Sequence, residues 1–200
     1  GALQREVAEA RAARQTAFAR RKETITGVTD FPLLETKAPE FGARPPPHTT
    51  RVTGPNALSP MRWAEPFEAL RETAEQCGPA RGNAKVFFAN LGPLAACGPR
   101  TQYARNLLAV GGIASIGEEG TYSSREAMIH AFEKSNARVA MVCGADAAYA
   151  EEGENAAQRL KAARCDWVIL AGKPGEREAA LRAAGVDQFV FTGQDALKEL

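Results

Sequence analysis

The sequence predicts an α/β fold built on a five-stranded parallel sheet, and three observations carry that expectation. From about Ala84 onward, short apolar runs such as Val86, Phe87 and Phe88 alternate with longer stretches of helical periodicity. Glycine-bearing turns separate them, at Gly111-Gly112, Gly144 and Gly172. The intervening stretches are ten to fifteen or so residues long, enough for a crossover helix between parallel strands covered on both faces.

Taken in order, Ala2 to about Glu23 is rich in Ala, Arg and Glu and predicts a helix. Leu3, Val7, Ala10, Arg14 and Phe18 recur at helical spacing but form only a thin apolar stripe. Such a helix is either a solvated arm or one whose supporting surface lies elsewhere. Ile25–Phe31 alternates and reads as a short lone strand. From Pro32 to Pro60 regularity is lost among Pro39, Pro45, Pro46, Pro47 and Pro55, which predicts an extended linker or a belt across another surface. Met61–Glu75 reads as a helix with Trp63, Phe67 and Leu70 on one face and Pro66 in its first turn. The resulting division is an N-terminal helix and strand over residues 1–30, a linker with one helix over 31–83, and an α/β unit over 84–200.

Within that unit the expected strands are Lys85–Asn90, Ile113–Ile116, Arg138–Cys143, Asp166–Leu170 and Gln188–Phe191. The expected helices are Thr101–Val110, a segment capped by Ser123 or Ser124 and running to Ser135, Ala148–Arg164, Glu176–Ala184 and one from Asp195. The strand order that fits is 2-1-3-4-5, a flavodoxin-like (Rossmann-like) sheet with its crevice beside strands one and three. The rim of that crevice falls on Gly92–Pro99, Gly144–Tyr149 and Gly172–Gly175.

Composition narrows the function. With 25 basic and 24 acidic residues the net charge is +1, so no overall field favours nucleic acid or a membrane surface. No apolar stretch approaches the roughly 20 residues that span a bilayer. The first residues are charged and helical rather than a signal-peptide core. Cys77, Cys97, Cys143 and Cys165 lack the close spacing of a zinc or redox motif, and since Cys143 and Cys165 lie in or beside expected strands they read as buried free thiols. The expectation is a soluble, cytoplasmic protein.

The crevice rim carries little chemistry. Leu94, Ala95 and Ala96 stand where a catalytic loop would be, without a carboxylate or a histidine. Gly98 is followed by Pro99, which has no N–H to give a phosphate. No G-x-G-x-x-G follows the first strand, and Asn90–Pro93 lacks the carboxylates that hold magnesium in a phospho-receiver. His48 sits beside the proline run and His130 lies mid-helix, so neither pairs with a nucleophile or a second metal ligand. The residues themselves predict no catalytic group and no metal site.

Several stretches resemble the cobalamin-dependent acyl-CoA mutases, and most closely the small (β) subunits of bacterial methylmalonyl-CoA mutase. They are RRKETITGVTDFPLL, RWAEPFEALRE, KVFFANLGPLAACGPRTQYARNLLAVGGI and DWVILAGKPG, in that order. The resemblance implies a linker followed by a cobalamin-binding-like domain, with an N-terminal barrel domain of the same subunit outside this chain. That family's cobalamin signature is Asp-x-His-x-x-Gly in the loop after strand one. Laid on this chain, its Asp falls on Leu94, its His on Ala96 and its Gly on Pro99. Alanine offers no nitrogen to cobalt, and leucine cannot orient a ligand as a carboxylate does. The family's serine turn falls near Cys143-Gly144-Ala145, and its later glycine pair survives only as Ala171-Gly172.

The resemblance therefore implies a non-catalytic chain with a vestigial groove at Gly92, Leu94, Ala96, Pro99, Gly144 and Gly172. It would bind no cofactor and serve as a structural partner of the large (α) subunit, which carries adenosylcobalamin. Two alternatives remain at this level. The domain could hold adenosylcobalamin through backbone contacts at Gly92, Gly144 and Gly172 without a protein cobalt ligand, or it could be a stand-alone small-molecule or signalling module.

Overall fold

In the computed structural model, residues 1–34, 54, 57–58, 60–77, 84–117 and 121–200 are described. Five parallel strands form one sheet in the order β2-β1-β3-β4-β5, as expected. They are β1 (Lys85–Asn90), β2 (Ala114–Ile116), β3 (Val139–Cys143), β4 (Trp167–Ala171) and β5 (Gln188–Val190). The helices are α1 (Ala2–Ala19), α2 (Glu65–Gln76), α3 (Leu94–Val110), α4 (Arg125–Ser135), α5 (Asp146–Ala148), α6 (Glu154–Ala162), α7 (Glu178–Ala183) and α8 (Ala196–Glu199). A π-helical turn, Tyr149–Gly153, joins α5 to α6.

The central strands β3 and β4, and the middle of β1, are apolar because the sheet is covered on both faces. Phe87, Ala89, Ala140, Val142, Val168 and Leu170 face a core shared with α4, α6 and α7, through Met128, Phe132, Leu160 and Leu181. Val86, Phe88, Met141, Cys143 and Ile169 face the other way, onto Ala104, Leu107 and Leu108 of α3 and Ala196 of α8. This alternation within each strand follows from the two-residue period of the pleat.

Local chemistry sets several helix ends. Ser124 caps α4, its hydroxyl accepting from the Ala127 N–H at 3.1 Å. Asn136 ends the same helix in a left-handed conformation, φ 53°. Asp195 caps α8 through the Leu197 N–H.

A third apolar cluster joins the first part of the chain to the sheet unit. Phe18 of α1, Phe67 of α2 and Val110 of α3 are buried together, with Trp63 and Leu200 packed against them. Arg71 adds a polar clamp, donating to the carbonyls of Val110 at 3.1 Å, Gly27 at 3.3 Å and Val28 at 2.8 Å. Only the end of α1 joins this cluster; Leu3 and Val7 stay exposed.

Four expectations need correction. Ile25–Phe31 is not a strand: the Ile25 carbonyl gathers N–H groups from Val28 to Asp30, and only an isolated bridge joins Thr26 to Asp30. The helix expected over Met61–Glu75 begins at Glu65, with Pro66 in its first turn. The segment expected as one helix over Ala148–Arg164 is broken by the π-turn. Helix α3 begins at Leu94, seven residues before the expected Thr101, and takes Pro99 into its body. Most of the expected belt, with His48, lies outside the described residues.

Candidate functional site

In an open α/β sheet the functional crevice opens at the carboxyl ends of the strands, where the order reverses. Here that reversal falls between β1 and β3. The chain closes it with its own groups. Leu91, fully buried, donates its N–H to the Cys143 carbonyl at 2.7 Å and so extends the pairing of β1 with β3 past Asn90. Behind it, the Asn90 Oδ1 accepts from the Thr101 hydroxyl at 2.9 Å, a buried polar pair that ties the strand end to α3.

Tyr149 fills the neighbouring space between β3 and β4. Its side chain enters from the π-turn, where one extra residue per turn changes the direction in which a side chain leaves the helix. The Tyr149 hydroxyl accepts from the Gly144 N–H at 2.9 Å and donates to the Ala171 carbonyl at 2.7 Å, with the Val142 carbonyl 3.2 Å away. Thus one phenol satisfies backbone groups from both strand ends. Burial pushes its ionisation well above the ordinary tyrosine range.

The rim glycines gain a reason from this ring. A methyl on Gly144 would lie 3.2 Å from Tyr149 Cε1 and 3.1 Å from the Leu91 Cβ. A methyl on Gly172 would lie 3.2 Å from Tyr149 Cε2. A side chain at either position would make the ring or its neighbours give by a few tenths of an ångström. Arg100 covers the outside, its guanidinium 4.9 Å from the ring centroid. It donates to the Gly144 carbonyl and to Asp146 Oδ1, each at 2.6 Å. Burial works against the Arg100 charge, but the hydrogen bond to Asp146 and the neighbouring charges outweigh it and raise its pKa.

The site residues expected from the sequence are only partly brought together. Gly144 and Gly172 meet across the Tyr149 ring. Gly92 is exposed, with φ +77°, and its nearest approach is to Ala148. Leu94 and Ala96 lie in the first turn of α3 rather than in a loop, with Leu94 57% exposed. Pro99 lines an open groove of about 760 Å³ that adjoins the filled crevice and shares Arg100, Tyr149 and Gly172 with it. That groove is displaced toward β4 and β5, between Arg100, Gly172, Lys173, Arg177 and Phe191.

The remaining chemistry is sparse. Cys97, Cys143 and Cys165 are buried free thiols, and burial raises Cys143 to about 12 and Cys165 to about 11. His130 is exposed on α4. Among the described residues no group of three or more His, Cys, Asp or Glu is placed to hold a metal ion. Among them, too, no helix is long and apolar enough to cross a membrane.

Comparison with known proteins follows the sequence resemblance. The chain is 37% identical over 190 residues to a methylmalonyl-CoA mutase small subunit of Streptomyces virginiae, covering 94% of this chain and 29% of that one. A probable methylmalonyl-CoA mutase small subunit of Mycobacterium tuberculosis is 36% identical over 169 residues, 84% of this chain and 25% of its own length. The corresponding small subunit of Propionibacterium freudenreichii subsp. shermanii is 28% identical over 191 residues, 94% of this chain and 28% of its own. The chain is a relative of methylmalonyl-CoA mutase small subunits. It spans less than a third of the length of these relatives. No protein-family profile matches it.

Sequence reasoning placed Tyr149 at the edge of the rim without assigning it a task, and passed over Arg100. One signal was present: a single large aromatic among alanines, in Gly144-Ala-Asp-Ala-Ala-Tyr149, after a strand that ends in glycine.

Proposed function

We propose that this chain is the linker and cobalamin-binding-like domain of a methylmalonyl-CoA mutase small subunit, and that it works in assembly rather than in catalysis. In this reading the holoenzyme interconverts methylmalonyl-CoA and succinyl-CoA, with adenosylcobalamin held by the large (α) subunit. The small subunit's own barrel would lie in the part of the relatives that this chain does not span.

One observation carries the reading. The space between Gly144 and Gly172, where a ligand could meet bare backbone, is taken by the Tyr149 ring with Arg100 over its face, and only the groove on the β4 and β5 side stays open. The residues present do not fit cobalamin. Ala96 has no ligand atom, and it stands on a helical turn in place of a loop. The alternative of binding through Gly92, Gly144 and Gly172 alone meets the same obstacle, since two of the three glycines pack on the tyrosine.

Hydroxocobalamin mixed with the purified chain should keep the visible spectrum of the free vitamin, and titration calorimetry with adenosylcobalamin should give no binding heat. A spectrum with a protein nitrogen on cobalt would sink the proposal. For the assembly role, the parent small subunit should co-purify with the large subunit less well after deletion of Phe31–Pro60. Unchanged co-purification counts against the linker as a contact surface.

A further inference from the structure

We propose that Tyr149 is a resident ligand: its phenol occupies an aromatic slot between β3 and β4, and the slot recognises a free phenol once the side chain is cut back. The inference rests on the crevice being filled, as in the functional reading above, but not on what the parent enzyme does.

The slot has the features of a small-molecule site, with flat walls and few polar groups placed for orientation. Gly144 and Gly172 form walls close enough that a methyl on either would touch the ring. At the far end, one N–H donor (Gly144) and the carbonyls of Ala171, at 2.7 Å, and Val142, at 3.2 Å, fit a single hydroxyl that accepts once and donates once. At the mouth, Arg100 lies over the ring face and is itself held by the Gly144 carbonyl and Asp146. Every one of these partners except Asp146 is a main-chain group or a neighbouring element, so the slot does not depend on Tyr149's own helix for its polar end. No covalent step is involved.

Tyr149→Ala removes one phenol and leaves its Cβ. The variant should melt on the order of 10 °C below the parent chain. Millimolar phenol should raise its midpoint in a concentration-dependent way while leaving the parent chain unmoved. Benzene, which lacks the hydroxyl, should restore less. Phenol that shifts neither protein, or both equally, overturns the proposal. Because Tyr149→Ala can fail to fold, Gly172→Ala supplies an independent measurement. Its methyl should strike Cε2 of the ring and lower the midpoint, and a Gly172→Ala chain as stable as the parent overturns the slot. Cobalamin titration of the parent chain decides the earlier reading separately, so failure of one leaves the other standing.

Discussion

At the scale of single residues, burial governs the chemistry that remains. Cys143 sits at the end of β3 and Cys165 just before β4, each without a charge partner strong enough to favour the thiolate. Their thiols are therefore raised from an ordinary value of 9 to about 12 and about 11. Tyr149 is shifted in the same direction by the same cause. In the unfolded chain these groups lose their protons first, so between the ordinary and the raised values the folded state binds more protons. Stability should be fully present below about pH 9 and fall as pH rises toward the folded-state values, by at most about 1.4 kcal/mol per pH unit for each group. Chemical denaturation repeated from pH 8 to 11 measures the slope. Cys143→Ala should flatten it, and an unchanged slope would show that this thiol ionises freely in the fold. The sequence already marked Cys143 and Cys165 as buried, because each lay in or beside an apolar strand. It did not mark Tyr149 as a filler, because Ala171, which accepts its hydroxyl, is 22 residues further on.

At the scale of elements, α3 is the instructive case. Gly98 and Pro99 read as loop, because proline has no N–H and its ring crowds the carbonyl four residues back. The helix nevertheless starts at Leu94 and runs through both. Pro99 is exposed, so its ring meets solvent, and the helix is held further along by buried Ala104, Leu107 and Leu108. Tertiary packing of that half outweighs a local cost near the beginning. Pro99→Ala should restore the missing hydrogen bond to the Ala95 carbonyl and stabilise the chain by about 1 kcal/mol, part of the helical gain being offset by a freer unfolded state. Thermal melts compare the two; a lower midpoint would mean that Pro99 holds the adjacent groove in shape. The Ser124 cap shows the opposite situation, in which the sequence located the start of α4 correctly. A cap acts over three residues, so both partners are visible in one short stretch.

At the scale of the whole molecule, the fold and the proposed loss of its cofactor site belong together. The chain keeps the strand order that creates a crevice, then fills it from three directions with Leu91, Tyr149 and Arg100. Restoring one ligand should therefore not restore a site. Ala96→His places an imidazole on the first turn of α3 but leaves the space beside Gly144 and Gly172 occupied. Its visible spectrum with hydroxocobalamin should match that of the parent chain, and histidine-ligated cobalt in this single variant would show that the ring yields to the cofactor. The same scale explains how the first part of the chain is held. Arg71 gathers carbonyls from residues 27, 28 and 110, stretches far apart in sequence that no local pattern connects.

By itself the sequence determined the strands and their order, because apolar runs and crossover lengths can be read along the chain. The identities of Leu94, Ala96 and Pro99, on which the proposed loss of a cobalamin site rests, are local facts too. The tertiary structure alone decided what stands in the crevice and where the open groove went. A cavity is bounded by groups that converge from separate elements, and the ring of Tyr149 finds its partners only once β3 and β4 lie side by side.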